Sequence, residues 1–260
     1  MPDKSMTPLH QAAATGFDFG AATYVAGRPE YPEDALSWLV DDLGVGPGRS
    51  VVDLGAGTGK FLKMLARTGA SLIAVEPVAG MRDQLVRAFP GVDVLEGRAE
   101  ALPLADESVD ALVCAQAFHW FATGEALAEI ARVLKPGGRF GLIWNVRDES
   151  VGWVAELTRL ITPYEGDAPR YGSGLWRKVF PALGFSPLRE KVFPHAHVGA
   201  PERVIVDRVL STSFIAALPD DERAEMQQAI RNIIAATPEL TGRESVAYPY
   251  ETHAFWCEKI

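Results

Sequence analysis

The sequence has little of what marks secreted, metal-binding or membrane-spanning chains. Only two cysteines, Cys114 and Cys257, occur in 260 residues, and they show no metal-ligand spacing. Nothing in that usage suggests an oxidising compartment, and Cys114, inside an apolar run, reads as a packed core thiol. No apolar run approaches the ~20 residues needed to span a membrane. The opening MPDKSMTPLHQAAATG lacks the apolar centre of a signal peptide, so the chain reads as cytoplasmic. Basic charge is short as well: 25 Lys and Arg face 34 Asp and Glu, for a net charge of −9. That balance argues against a nucleic-acid partner, which needs a concentrated basic face. Histidines 195 and 197 alternate in HAH without a third ligand, so no metal site is expected.

What remains is a globular chain with an apolar fraction of 48%, enough for a substantial core. Its centre is RSVVDLGAGTGKF, from Arg49 to Phe61. An apolar run (Val51, Val52, Leu54) meets Gly55, Gly57 and Gly59 and then turns helical, which reads as a buried strand, a tight turn and a helix start. Bare glycine backbone lets a ligand lie close, and the helix that follows points free N–H groups into the turn. A dinucleotide fingerprint would place a third glycine where Lys60 stands. Asp53, in the strand end, would repel a pyrophosphate and suits a cofactor carrying an amino or sulfonium cation.

Strands and helices alternate from here: helix Gly59–Thr68, strand Ser71–Glu76, helix Ala79–Ala88, strand Val92–Glu96, strand Val109–Ala115, helix Glu125–Val133, strand Arg139–Trp144. Such alternation predicts an α/β fold, a mostly parallel sheet covered by helices on both faces. Ahead of it, YPEDALSWLVDDLG reads as a helix with Ala35, Leu36, Leu39, Val40 and Leu43 inward. After Asp148, segments 151–165, 173–183, 201–216 and 220–236 read as helices, the last with Asp220 as a cap. The segment 187–193 reads as a strand, and the aromatic end SVAYPYETHAFWCEKI as a final strand. Ligands gather at the carboxyl ends of such strands, which selects Asp53–Gly59, Glu76–Pro77, Gly97–Glu100, Gln116–Phe121 and Asn145–Arg147. Glu76, some twenty residues past the glycine turn, can accept hydrogen bonds from both hydroxyls of an adenosine ribose.

VVDLGAGTG resembles the first motif of class I S-adenosylmethionine (SAM) dependent methyltransferases, a hydrophobic run followed by D-x-G-x-G-x-G. AVEP with Met81 behind it looks like the family's second motif, and GRAEALPLADESVDALVCAQAFHWF is similar to that of the methyltransferase type 11 group. Tyr24, Arg28, Pro29 and Tyr31 resemble a lid of the trans-aconitate methyltransferase-like branch. The resemblance implies a Rossmann-like seven-stranded sheet, mostly parallel, with its last strand antiparallel. It divides the chain into a lid and helices (1–48), a SAM-binding core (49–147) and substrate-side helices with the last strands (148–260), within one domain. It implies S-adenosyl-L-methionine as cofactor, contacted by Tyr24, Arg28, Asp53, Gly55, Ala56, Gly57, Gly59, Glu76, Pro77, Met81, Arg98, Ala99, Glu100 and Gln116. Arg98 stands where the family has an acid that reads adenine, so backbone contacts from Ala99 can persist while the carboxylate contact either comes from elsewhere, with Glu100 a candidate, or is absent. Asp110 has a structural place at the start of its strand.

The acceptor is expected to be a small molecule beside His119, Trp120 and Asn145, with Trp120 and Phe121 walling out water. His119 is a candidate base, since an imidazole with an ordinary pKa works at neutral pH. Methyl transfer by direct substitution at O, C or N can also proceed by alignment alone, and a carboxylate or hydroxyl acceptor is preferred. No N-P-P-[YF] tetrapeptide follows the fourth strand, unlike the amino-methylating nucleic-acid enzymes. A non-catalytic SAM-binding regulator and an NAD(P)-dependent oxidoreductase are the alternatives, the second opposed by Lys60. Oligomeric state stays open.

Overall fold

The computed structural model describes residues 28–167 and 169–260. Seven strands form one sheet in the order β3-β2-β1-β4-β5-β7-β6. They are β1 (Ser50–Leu54), β2 (Ser71–Val75), β3 (Asp93–Leu95), β4 (Val109–Ala115), β5 (Leu134–Arg147), β6 (Arg189–Gly199) and β7 (Val246–Glu258). The first five are parallel, and β7 runs antiparallel between β5 and β6. The sheet and its inserted final strand agree with the sequence reading.

Alternation along the central strands sorts side chains into two cores. Val52, Leu54, Leu112, Cys114, Leu142 and Trp144 face one side, and Val51, Ala111, Val113 and Ile143 the other. Each fully buried aliphatic side chain contributes about 1.5–3 kcal/mol. The helices that cover the sheet include α1 (Asp34–Ser37), α2 (Leu62–Ala66), α3 (Ala79–Ala88) and α4 (Gly124–Val133). Thr123 caps α4 by accepting the Ala126 N–H at 3.1 Å. Asp110 tethers the amino end of β4 by accepting from the Ser50 N–H, Lys135 and Arg49, each at 2.9 Å.

Several boundaries differ from the sequence reading. After α1 the chain widens into a π-type turn, Trp38–Asp42, whose extra residue rotates the face: Trp38 is buried and Val40 is 46% exposed. α2 is shorter than expected because Gly59, at φ 84°, cannot belong to a right-handed helix. β5 extends from Leu134 to Arg147, six pairings of which go to β4 and nine to β7. The expected helix 201–216 breaks into Glu202–Asp207, Arg208–Leu210 and Ser213–Ala216. Pro219, not Asp220, occupies the cap position of the next helix, Asp220–Ala236.

A third core lies at the carboxyl end of β5, beside the start of β7. It joins α5 (Gly152–Ile161), the broken segment 202–216, α6 (Asp220–Ala236) and the start of β7, around Trp153, Leu157, Val209, Ile230 and Tyr248. Among the described residues no helix is long and apolar enough to cross a membrane.

Candidate functional site

The turn after β1 is built for close approach. Gly55 has φ 72°, and a Cβ there would lie 2.8 Å from the Ala117 Cβ. Beside the turn, Glu76 is buried at the end of β2. Its Oε2 accepts the Gly57 N–H at 2.8 Å and its Oε1 the Val78 N–H at 2.9 Å. These bonds orient the carboxylate and leave each oxygen a further lone pair. Burial raises the Glu76 pKa, opposed by the Val78 and Gly57 amides and by Arg82. Asp53 is 1% exposed, and neither of its oxygens has a hydrogen-bond partner among the described residues. Burial, with the charge of Glu76, pushes its carboxyl up to about 8.

A cavity of about 880 Å³, counting its open mouth, lies against this turn. The β1 turn supplies Asp53, Gly55, Ala56 and Gly57. Glu76, Pro77 and Met81 come from β2 and α3, Gln116 and Trp120 from the end of β4, and Arg28 from the amino-terminal side. Gln116 holds φ 58°, uncommon for a residue with a side chain, where its N–H reaches the Ile143 carbonyl at 2.9 Å. The expected adenine-reading loop is placed differently: Ala99 is packed in the core, Arg98 bridges to Ala101, and Glu100 is exposed. None of the three lines the cavity, nor does Gly59, which makes room for the Phe89 ring: a Cβ would lie 2.6 Å from it. Tyr24 lies outside the described residues.

Lys60, Tyr31 and Phe61 are additional wall residues. Lys60 donates to the Arg28 carbonyl and pairs with Glu30 at 3.6 Å, and the Tyr31 ring meets Phe61 edge-on at 4.8 Å. The residue that departs from the dinucleotide fingerprint thus straps the 28–31 segment over the turn. Only the departure was visible in the sequence, because the strap's other half is about thirty residues away.

A second, larger chamber of about 1950 Å³, again including its mouth, adjoins the first; Arg28, Gln116 and Trp120 line both. His119 and Asn145 line the second only. Trp144 donates its indole N–H to His119 Nδ1 at 3.1 Å. Burial, helped by Arg170 and Arg28, lowers the His119 pKa to about 3. The neutral ring must therefore carry its proton on Nε2. The sequence reading makes His119 a candidate base; in the structure its Nδ1 lone pair is taken by the Trp144 N–H, which leaves the Nε2–H as a donor. Asn145 is a buried tie, donating to the Glu30 carbonyl at 3.0 Å while its Oδ1 accepts from Thr252 Oγ1 at 2.6 Å. His195 and His197 share a face of β6, and among the described residues no group of three or more His, Cys, Asp or Glu is placed to hold a metal.

Comparison with known proteins agrees with this arrangement. The profile of a methyltransferase domain family, type 11, matches residues 52–142. A methyltransferase-like protein of Schizosaccharomyces pombe is 39% identical over 244 residues, covering 94% of this chain and 95% of that one. A Mycobacterium tuberculosis protein named as an uncharacterized methyltransferase is 36% identical over 247 residues, covering 95% and 97%. The crystal structure of the YcgJ protein of Bacillus subtilis superimposes with a TM-score of 0.57 at 21% identity, over 88% of this chain and 99% of that one, which shows the shared architecture. With full-length relatives on one side and the β1 turn and strand order on the other, the chain belongs to the class I SAM-dependent methyltransferases.

Proposed function

We propose that the first cavity holds S-adenosyl-L-methionine and the second a small-molecule acceptor, with methyl transfer across their shared wall. The observation that carries this reading is that Arg28, Gln116 and Trp120 border both spaces. The residues present suit the cofactor. Glu76 can take both ribose hydroxyls, the bare backbone of Gly55 and Gly57 admits close contact, and the Asp53 carboxyl, held protonated at neutral pH by its burial, gives up that proton once a cationic group lies beside it. Arg28 suits the methionine carboxylate. When bound, SAM supplies an electrophilic methyl on a sulfonium. The protein's own part is to align and to exclude water, with Trp120 and Phe121 as apolar walls and His119 as a fixed donor.

Calorimetric titration with SAM, S-adenosylhomocysteine and NADH tests the reading, in the wild type and in Glu76→Gln. The first two ligands are expected to bind, about tenfold or more weakly in the variant, from loss of a charged hydrogen-bond acceptor. Binding of NADH without either adenosyl ligand overturns it.

A further inference from the structure

A methyl donor and its product differ at one place only. S-adenosyl-L-methionine carries a methyl group and a positive charge on sulfur, and S-adenosylhomocysteine carries neither. A protein group that tells them apart must lie where that methyl points. With donor in the first cavity and acceptor in the second, the methyl belongs at the wall they share. Arg28, Gln116 and Trp120 border both spaces there. Arg28 is a cation and repels a sulfonium. Gln116 is the neutral amide of the three, and its oxygen is the negative end of a dipole.

The fold orients that amide. Gln116 Nε2 donates to the Asn145 carbonyl at 3.3 Å. A carbonyl can only accept, so the NH₂ end of the amide is fixed there and the oxygen lies on the other side. Among the described residues no donor reaches that oxygen, and the side chain is half-buried. The backbone is held as firmly. Gln116 keeps φ 58°, a left-handed conformation that glycine adopts far more readily. Its N–H meets the Ile143 carbonyl at 2.9 Å, and the carbonyl of the next residue, Ala117, accepts the Trp120 N–H at 3.0 Å. The Ala117 Cβ lies against the β1 turn, 2.8 Å from where a Cβ on Gly55 would stand. These contacts impose the conformation without explaining why a long amide occupies it. Such a residue at the junction of two cavities points to a task for its side chain.

We propose that Gln116 distinguishes the methyl donor from its demethylated product, with its Oε1 facing the charged methyl group and gaining nothing from a neutral thioether. The inference rests on the methyltransferase reading of the two cavities. Asp53 and Glu76 do not share this task, because the amino group and ribose hydroxyls that suit them are the same in both ligands. The attraction is a weak C–H···O contact strengthened by the sulfonium charge, so Gln116 tunes donor against product without dominating the affinity for either. Once the charge on sulfur is gone, the wall no longer attracts the ligand, which favours product release.

The test is calorimetric titration of the full chain with SAM, S-adenosylhomocysteine and sinefungin, which has an ammonium in place of the methylsulfonium. Wild type is compared with Gln116→Met and Gln116→Gly. The first substitution keeps the side-chain length without the dipole, and the second suits φ 58° and removes the side chain. In both, binding of SAM relative to S-adenosylhomocysteine is expected to fall about three- to tenfold. Sinefungin is expected to lose most, since its N–H groups bond the oxygen more strongly than C–H groups do. S-adenosylhomocysteine affinity kept within about twofold shows that the variants are folded. Equal weakening of SAM and S-adenosylhomocysteine in both variants gives Gln116 a purely structural role and overturns the inference. An unchanged ratio overturns it too, as does a ratio that shifts in Trp120→Leu alone, which would assign the discrimination to the indole face. Failure of the wild type to bind any adenosyl ligand overturns the methyltransferase reading itself.

Discussion

Asp53 sits at the end of β1 with both carboxyl oxygens shielded from water, and its proton is held until about pH 8. In an unfolded chain the same group ionises near pH 4, at about 3.9. Between those values the folded protein keeps a proton that the unfolded chain has released. Stability therefore falls as pH rises through that window and levels off above it. Asp53→Asn removes the ionisable group while keeping its shape. Without cofactor, the variant is expected to melt near the wild type at pH 4 and clearly above it at pH 8.5, as followed by calorimetric melts across that range. Parallel curves would show that Asp53 is already ionised at neutral pH. At this scale Asp53 and Glu76 were legible in the sequence because strand, turn and strand-end acid are local patterns. The role of His119 was not, because its partner Trp144 comes from another strand and no spacing rule connects them.

The element that fixes the site is the β1 turn, and its tolerance is set by how closely Ala117 approaches it. In Gly55→Ala the new methyl meets the Ala117 Cβ in a backbone conformation that alanine avoids. A loss of about 1–3 kcal/mol is expected in urea unfolding, together with weaker SAM binding. Gly46→Ala, with nothing within 4 Å of its Cβ and no positive φ, is the matched control and is expected to be near neutral. Regular elements such as α3 and β4 were legible to the residue, since apolar spacing alone determines them. The break at Ser211 and Thr212 was hidden. The apolar spacing carries on through it (Val209, Ile215), while Ser211 Oγ binds the Arg208 carbonyl at 2.8 Å and competes with the helix. Thr212 at that break lines the second chamber together with Arg28, Arg147, Arg170 and Arg208, a grouping of distant segments that could not be seen before the fold.

Across the whole molecule, three distant parts of the chain meet at Asn145. Its amide joins the Glu30 carbonyl of the strap to β5, and its oxygen joins β5 to the fully buried Thr252 of β7. The sequence placed Asn145 near the acceptor by strand-end position; its contacts give it the further task of holding the strap that carries Arg28 and Tyr31. Asn145→Ala leaves the Thr252 hydroxyl unpaired in the core, a cost of about 1–3 kcal/mol. Adding Thr252→Val removes that orphaned hydroxyl, so the double variant is expected to lose less than the two single losses combined, with a coupling of about 0.5 kcal/mol or more in urea unfolding. Strict additivity would mean that the two side chains do not depend on each other. SAM affinity separates the two functions of the tie: Asn145→Ala, which frees the strap, is expected to weaken it, whereas Thr252→Val alone, which leaves the Glu30 bond in place, is expected to do so far less. Equal weakening in both would shift the control of the cofactor cavity from the strap to the packing of β5 against β7.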